Sequence, residues 1–448
     1  MSYSAEKIVA TLRSGAKFSL RHPWIWMLLI AFALRFAIIM IDQPHKFSDT
    51  THHFWFGAET GSIARSVAQG EGFSSPFTSS TGPTAMIGPV YVYMVAGVFK
   101  ISGVLTPRSQ IIILCLNSLF SALTAPVIYL LAKKITDKPT ASLAGWAWAV
   151  IPSFMTLATT WIWETVLSAL LVSVAVLFAI HLCEHVSWRK WVAFGLFWGF
   201  AALTNPALLS IFLISLVWIA SRYRRARLDY ARRIVIATLA CIATISPWLI
   251  RNRVVFGQWT FIRDNFGYEF YLDNHEIRKG EAFYSVHPTA SPTEWKLYKS
   301  MGELAYISLN KDKAFSYVRQ NPGRFIRRTG QRMIDFWTGG AVDYLLLLSS
   351  PPAEMQSKSI FSLLTFVGLM FAGWTKMRHW PLCAAIILLY PAPYYITNPL
   401  SRYRHPIEPV MMVVAAYFVV QAARVVSRGF SELAQHLHSN TPNEDVPF

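Results

Sequence analysis

The sequence predicts an all-α polytopic membrane protein with about 10 transmembrane helices, outer-face juxtamembrane helices and one larger outer loop region. Three observations carry that expectation. The 448 residues are 54% hydrophobic with a mean hydropathy of +0.36, too oily for a soluble domain. Several windows stay apolar for the roughly 20 residues a helix needs to cross a bilayer. Lys and Arg, which give a net charge of +17, are segregated: 19 of the 41 fall in the N-terminus and the short loops on one side, against two in the short loops on the other. That segregation makes the charge a topological signal and excludes nucleic acid as the partner it serves; membrane lipids are the partner implied. Cys115, Cys183, Cys241 and Cys383 lie in or beside apolar segments without a CxxC pair, so neither a disulfide framework nor a zinc site is legible.

Taken in order, Lys7, Arg13, Lys17 and Arg21 precede the first span, Trp24 to Ile41, which places the N-terminus in the cytoplasm. Met40-Ile41-Asp42 offers no small-residue cleavage site, so this segment stays as a span rather than leaving as a signal peptide. A long polar excursion then fills the first outer loop, 42–110, with a short helix that Gly70 ends in the left-handed conformation and turns at Pro83 and Pro89. Met86 to Ile101 is read as lying along the outer face, because a crossing there would invert the charge bias of every later loop. Further spans are expected at 111–132, 140–157, 165–182, 191–204, 207–221, 234–250, 360–375, 380–397 and 409–424. The second outer excursion, 251–359, holds 15 Lys and Arg, which long translocated loops carry without disturbing topology. Near its end Arg327, Arg328 and Arg332, with Phe325, Phe336 and Trp337, suit a helix lying on anionic headgroups. The chain thus divides into a transmembrane module over 1–250, the outer region 251–359, C-terminal spans over 360–427 and a polar tail over 428–448. Its expected location is a bacterial inner or plasma membrane, multi-pass, with both termini cytoplasmic.

Candidate chemistry clusters at the outer ends of the spans. Glu59 is a carboxylate a short way after the first span surfaces, followed by the small residues Gly61, Ser62 and Ala64 that let a substrate approach; the bland alternative is a helix-dipole contact. Asp49 competes for the same role, with capping as its simpler reading. His52 and His53 are adjacent and cannot both face one ion from a helix; the sequence makes no cofactor certain, and a divalent metal stays the lesser alternative. Glu164 interrupts an apolar stretch where the chain turns back, a place where ionisable groups are rare and functional. Arg35, two turns inside the first span, reads equally as a snorkelling side chain or as the partner of a phosphate or carboxylate. In ITNPLSRYRHPIEPV, Arg402 and Arg404 flank Tyr403 in a Pro-bracketed turn, and two guanidiniums set against the charge bias call for an anion. Arg251 and Asn252, after Pro247-Trp248, form a weaker cluster of the same kind.

In these residues the chain resembles the GT-C superfamily of membrane glycosyltransferases that use polyprenyl-phosphate sugars, in the branch of protein O-mannosyltransferases and the aminoarabinose transferase acting on lipid A. The resemblance rests on the acidic first outer loop, ETGSIARSVAQGEGFSSPF followed by GPVYVYMVAGVFKISG, WETVLSALL, LTNP, PWLIRN and RYRHPIEPV, and covers the chain nearly end to end. It implies a first-loop carboxylate, here Glu59, acting as base on the acceptor, a second outer-loop acid at Glu164 and late arginines on the donor phosphate. Relatives often carry an aspartate one helical turn before the Glu59 position, where Phe56 stands here, which keeps Asp49 in contention. The expected partners are therefore a polyprenyl-phosphate sugar donor and an acceptor whose identity the sequence leaves open. The chemistry agrees: glycosyl transfer from a lipid phosphate needs a base on the acceptor hydroxyl and cations on the leaving phosphate. The alternative, a transporter or flippase of a lipid-linked sugar, calls for midplane polar groups and internal repeats that the sequence does not display.

Overall fold

A computed structural model describes residues 22–42, 56–77, 79–183, 187–225, 230–276, 285–339 and 352–439. All their regular elements are helices, and the one β contact among them is an isolated bridge between Ser74 and Pro83. In chain order the α-helices are α1 (Pro23–Asp42), α2 (Glu59–Ala68), α3 (Pro89–Ser102), α4 (Pro107–Ile135), α5 (Lys138–Val150), α6 (Thr156–Thr160), α7 (Thr165–Leu182), α8 (Trp188–Thr204), α9 (Leu209–Arg225), α10 (Ala231–Phe256), α11 (Phe266–Asp273), α12 (Pro292–Met301), α13 (Glu303–Gln320), α14 (Pro322–Thr338), α15 (Pro352–Trp374), α16 (Trp380–Leu389), α17 (Ala392–Ile396) and α18 (Glu408–Ser439). Their ends follow local chemistry. Proline in the first turn opens α3, α4, α5, α12 and α14, where its missing N–H costs nothing. Thr106 and Ser109 form a reciprocal cap on α4, and Asp137 accepts the Thr140 N–H at 3.0 Å to cap α5.

Seven helices among the described residues, those containing α1, α4, α7, α9, α10, α15 and α18, are long and apolar enough to cross a membrane. The other three expected spans are present as shorter helices. The stretch 140–157 is α-helical only to Val150, because Pro152 follows and a 3-10 turn leads into α6. The stretch 191–204 lies within the 17 residues of α8, which stops at Asn205-Pro206, and 380–397 divides at Pro391 into α16 and α17. The 14 residues of α3 reach only about 21 Å, less than the roughly 30 Å hydrocarbon layer.

The bundle closes through small residues and buried polar ties. α4 packs on α1, α5 and α7. α8 and α10 approach so closely that a Cβ on Gly195 would stand 2.1 Å from the Ala237 carbonyl oxygen and one on Gly199 would stand 2.4 Å from Thr244 Cβ. Arg35 is fully buried in this assembly. It donates to Ser121 Oγ and to the carbonyls of Ala31, Ala149 and Trp148, each at 3.0 Å, and to the Phe154 carbonyl at 3.4 Å. It neither snorkels nor faces a ligand: it satisfies carbonyls freed where Pro152 breaks the α5 helix.

Helices α11 to α14 form a helical cap over one end of the bundle, tied to the first loop by ionisable side chains. Glu303 accepts from the Ala85 N–H at 2.6 Å, from the Tyr298 hydroxyl at 3.1 Å and from the Thr84 hydroxyl. Arg332 does not lie on headgroups as expected. It is 2% exposed, with Nε 3.2 Å from Asp273 Oδ2 and further donors on the carbonyls of Asp273 and Ile396, so it pins α14 to the corner after α11. Phe336 is likewise fully buried, whereas Arg327, on the opposite face of α14, is exposed.

Candidate active site

The site begins at the strained entry to α2. Gly57 has φ 79° and lies against the Ile162 carbonyl, where a Cβ would stand 2.1 Å away, so only glycine allows the first loop to touch the loop before α7. Ala58 also has positive φ, 47°, and no side chain caps the helix. Glu59 follows as its first residue, its carboxylate beside the positive end of the helix dipole. Asp49, His52 and His53 lie outside the described residues.

Glu59 is partly exposed, and the cap supplies its partner: His287 Nε2 lies 3.5 Å from Glu59 Oε1. Burial works to raise the carboxyl, but the His287 contact, its own backbone N–H and the field of Arg402 outweigh it and hold Glu59 below the usual carboxylate range. Glu269 on α11 moves the other way: burial raises it, the guanidiniums of Arg263 and Arg402 oppose, and the Glu59 charge adds to the rise. The pair is one carboxylate kept ionised beside one biased toward its acid form.

Two guanidiniums face these acids. Arg402 lies over the Trp163 ring at 4.1 Å and donates from Nη2 to the Tyr403 hydroxyl at 3.4 Å. Trp163 itself stacks on Trp161, centroids 4.6 Å apart and nearly parallel. Arg263 donates to the Met86 carbonyl at 2.6 Å and places Nη1 4.0 Å from Glu164 Oε1. Glu164 is 8% exposed at the N-cap of α7 and makes no capping bond with its side chain, which leaves the carboxylate to the site. Among the described residues no three His, Cys, Asp or Glu side chains stand together as metal ligands would.

The structure thus brings together Glu59, Glu164, Arg402 and Tyr403. It does not bring Arg404 with them. The 3-10 turn Ser401–Ile407 sends alternate residues to different sides, and Arg404, 1% exposed, is engaged by Glu408 Oε1 at 3.0 Å, Ser362 Oγ at 2.7 Å and the Trp337 carbonyl at 2.8 Å. Arg251 donates to the carbonyls of Thr84 at 2.9 Å and Phe73 at 2.8 Å, and Asn252 to that of Phe261 at 2.7 Å; both fix loops. Arg35 is remote in the bundle. Conversely, sequence reasoning missed Glu269, His287 and Arg263, which sit in a polar excursion where a charged residue carries no contrast. The run RDNFGYEF, with two acids and an Arg beside aromatics, was the available signal.

Comparison with known proteins bears on this arrangement. The family model described as dolichyl-phosphate-mannose-protein mannosyltransferase matches residues 84–250, a stretch that contains Glu164 but neither Glu59 nor Arg402. Among solved structures, the archaeal oligosaccharyltransferase AglB from Archaeoglobus fulgidus, in complex with an inhibitory peptide and a dolichol-phosphate, superposes with a TM-score of 0.51 at 13% identity over 95% of this chain. The superposition shows that the chain shares the fold of that oligosaccharyltransferase. The chain spans about half of that oligosaccharyltransferase, 53% of its length. ArnT from Cupriavidus metallidurans, bound to undecaprenyl phosphate, aligns at 13% identity over 94% of this chain and 82% of its own, with a TM-score of 0.39. A comparison with curated proteins returns no match.

Proposed function

We propose that this protein is a membrane glycosyltransferase of the GT-C superfamily that moves a sugar from a polyprenyl-phosphate donor to an acceptor hydroxyl at the outer, periplasmic or extracellular, face. The observation that carries the reading is the convergence of an ionised Glu59 with Arg402 and Arg263 at the end of a bundle of apolar spans. Transfer requires that the acceptor O–H lose a proton, that its oxygen bond to the anomeric carbon and that the bond from that carbon to the lipid phosphate break. Glu59 takes the proton. Arg402 and Arg263 offset the charge that develops on the departing phosphate, and Glu164, 4.0 Å from Arg263, orients that guanidinium. The dolichol-phosphate bound by the oligosaccharyltransferase agrees with such a donor.

With a single base and no carboxylate committed as nucleophile, displacement is direct and inverts the anomeric centre; Glu164 acting as nucleophile would instead retain it. Purified protein in liposomes, given a radiolabelled prenyl-phosphate sugar and a membrane extract as acceptor source, is expected to release prenyl phosphate and label the acceptor. Movement of the intact donor across the bilayer with no bond cleaved would overturn the reading in favour of a transporter.

A further inference from the structure

His287 is held more tightly than a packing residue requires. Its ring is wedged edge-on between Phe77, with centroids 5.7 Å apart, and Tyr268 at 5.6 Å, and it is almost wholly buried. Its carbonyl accepts the N–H groups of Ala290 at 2.9 Å and Ser291 at 2.8 Å, closing a turn just before Pro292 opens α12. The Thr289 N–H donates to Nδ1 at 3.1 Å, and the Thr289 hydroxyl reaches the same nitrogen at 2.6 Å. A backbone N–H meets only a lone pair, so Nδ1 is unprotonated and the proton of the neutral ring sits on Nε2. That nitrogen faces Glu59 Oε1 at 3.5 Å. The contact sets Nε2 against a carboxylate oxygen from a ring held between two aromatic neighbours.

We propose that His287 is the positioning residue of the Glu59 base: its fixed Nε2–H engages one carboxylate oxygen and leaves the other aimed at the acceptor hydroxyl. The inference rests on the transferase reading above. It assigns a purpose to the Thr289 turn, which selects the tautomer, and it explains why the base sits on a short helix with no side-chain cap: orientation comes from the cap across the site. The groups that act on Glu59 are His287 and Arg402, which favour its ionised form, and Glu269 and Tyr268, which oppose charge beside it. His287 does not carry the proton away, because Nδ1 already accepts from Thr289.

The test replaces the donor and keeps the ring. In His287→Phe the acid limb of the turnover profile is expected to move up by about one pH unit, and kcat to fall about ten- to a hundredfold with donor KM near wild type. His287→Gln, which restores an N–H donor, should recover part of both. A second readout needs no turnover: the pH midpoint at which a carbodiimide labels Glu59, measured by peptide mass spectrometry, should rise in His287→Phe and return toward wild type in His287→Gln. Should His287→Phe not purify folded, His287→Asn, too short to reach Glu59, takes its place in the labelling. An unmoved limb and an unmoved midpoint would overturn the proposal and leave His287 as packing. Because labelling reports the pair directly, a shifted midpoint in a protein without transferase activity would uphold the contact and sink the functional reading instead.

Discussion

Glu59→Gln is the substitution that most directly tests the chemistry. Gln keeps the volume of Glu and an oxygen that can accept the His287 Nε2–H now 3.5 Å from Oε1, so the geometry at the start of α2 should survive. What the side chain loses is charge and basicity. Losing a charge-assisted contact should cost about 1 to 2 kcal/mol of local stability, too little to unfold the protein. Losing a general base should lower turnover by roughly two to four orders of magnitude. Because the folded carboxyl lies below its ordinary value, wild-type turnover should hold down to mildly acidic pH and fail only as Glu59 protonates; the stability that this charge contributes is present above the ordinary carboxylate range and lost as pH falls through it. The assay is single-turnover release of prenyl phosphate from a radiolabelled donor, with donor binding measured separately. Donor binding should stay near wild type. Asp49→Asn serves as the comparison, expected to keep most activity, and Glu164→Gln should fall between them unless it is a nucleophile. Near wild-type turnover in Glu59→Gln with a dead Asp49→Asn would refute the assignment.

Arg402→Ala is expected to weaken donor use by about ten- to a hundredfold, with Lys restoring it only in part, and unchanged donor kinetics would remove Arg402 from the phosphate site. Arg404→Ala should instead leave the buried Glu408 paired through His405 Nδ1, at 2.8 Å, without its guanidinium and cost about 3 kcal/mol, read as a fall in melting temperature in detergent. Burial pushes the Glu303 carboxyl up to about 7 against its three donors. A folded value raised above the unfolded one means stability is greatest below the ordinary carboxylate range and falls by roughly 3 kcal/mol as pH rises through about 7. Glu303→Gln should flatten that dependence, and parallel melting profiles of the two proteins would contradict it. For sidedness, Lys138→Cys should resist a membrane-impermeant thiol reagent in intact cells while Gln258→Cys reacts; the reverse pattern would invert the proposed topology.

The spans were legible because burial in lipid forces an unbroken apolar window, and Glu59, Glu164 and Arg402 were legible because they interrupt such windows or border them. Contrast is what made them visible. Glu269 and His287 had none: in 251–359 polar residues are ordinary, and only the folding of α11 and the turn before α12 against the first loop gives these two a role. The sequence also treated Arg402 and Arg404 alike, two residues apart in one turn. Glu408 was the readable difference, since an acid four residues after Arg404 on the same helical face is its natural partner. Arg332 misled for a related reason: a basic run looks like a headgroup contact until the carbonyls of Asp273 and Ile396 are seen to need its donors.

The arginines then sort by how many of their five N–H donors the protein itself engages. Arg35, Arg332 and Arg404 are 0%, 2% and 1% exposed and each donates to several carbonyls, hydroxyls or carboxylates that tie helices together, so a phosphate would have to displace those bonds to reach them. Among the described residues Arg402 donates to Tyr403 alone and Arg263 to the Met86 carbonyl, with Glu164 at a long 4.0 Å. Trp163 also matters for Arg402: its ring centroid lies 4.1 Å from the guanidinium carbon, a cation–π contact that holds the charge at the site without using up its N–H donors. Lys would keep the charge but has no planar fork to present to a phosphate. The turn that carries RYRH therefore divides its labour by geometry, Arg404 fixing the turn to α18 and α15 while Arg402, on the other side of the same turn, is held against the Trp163 ring at the edge of the carboxylate cluster.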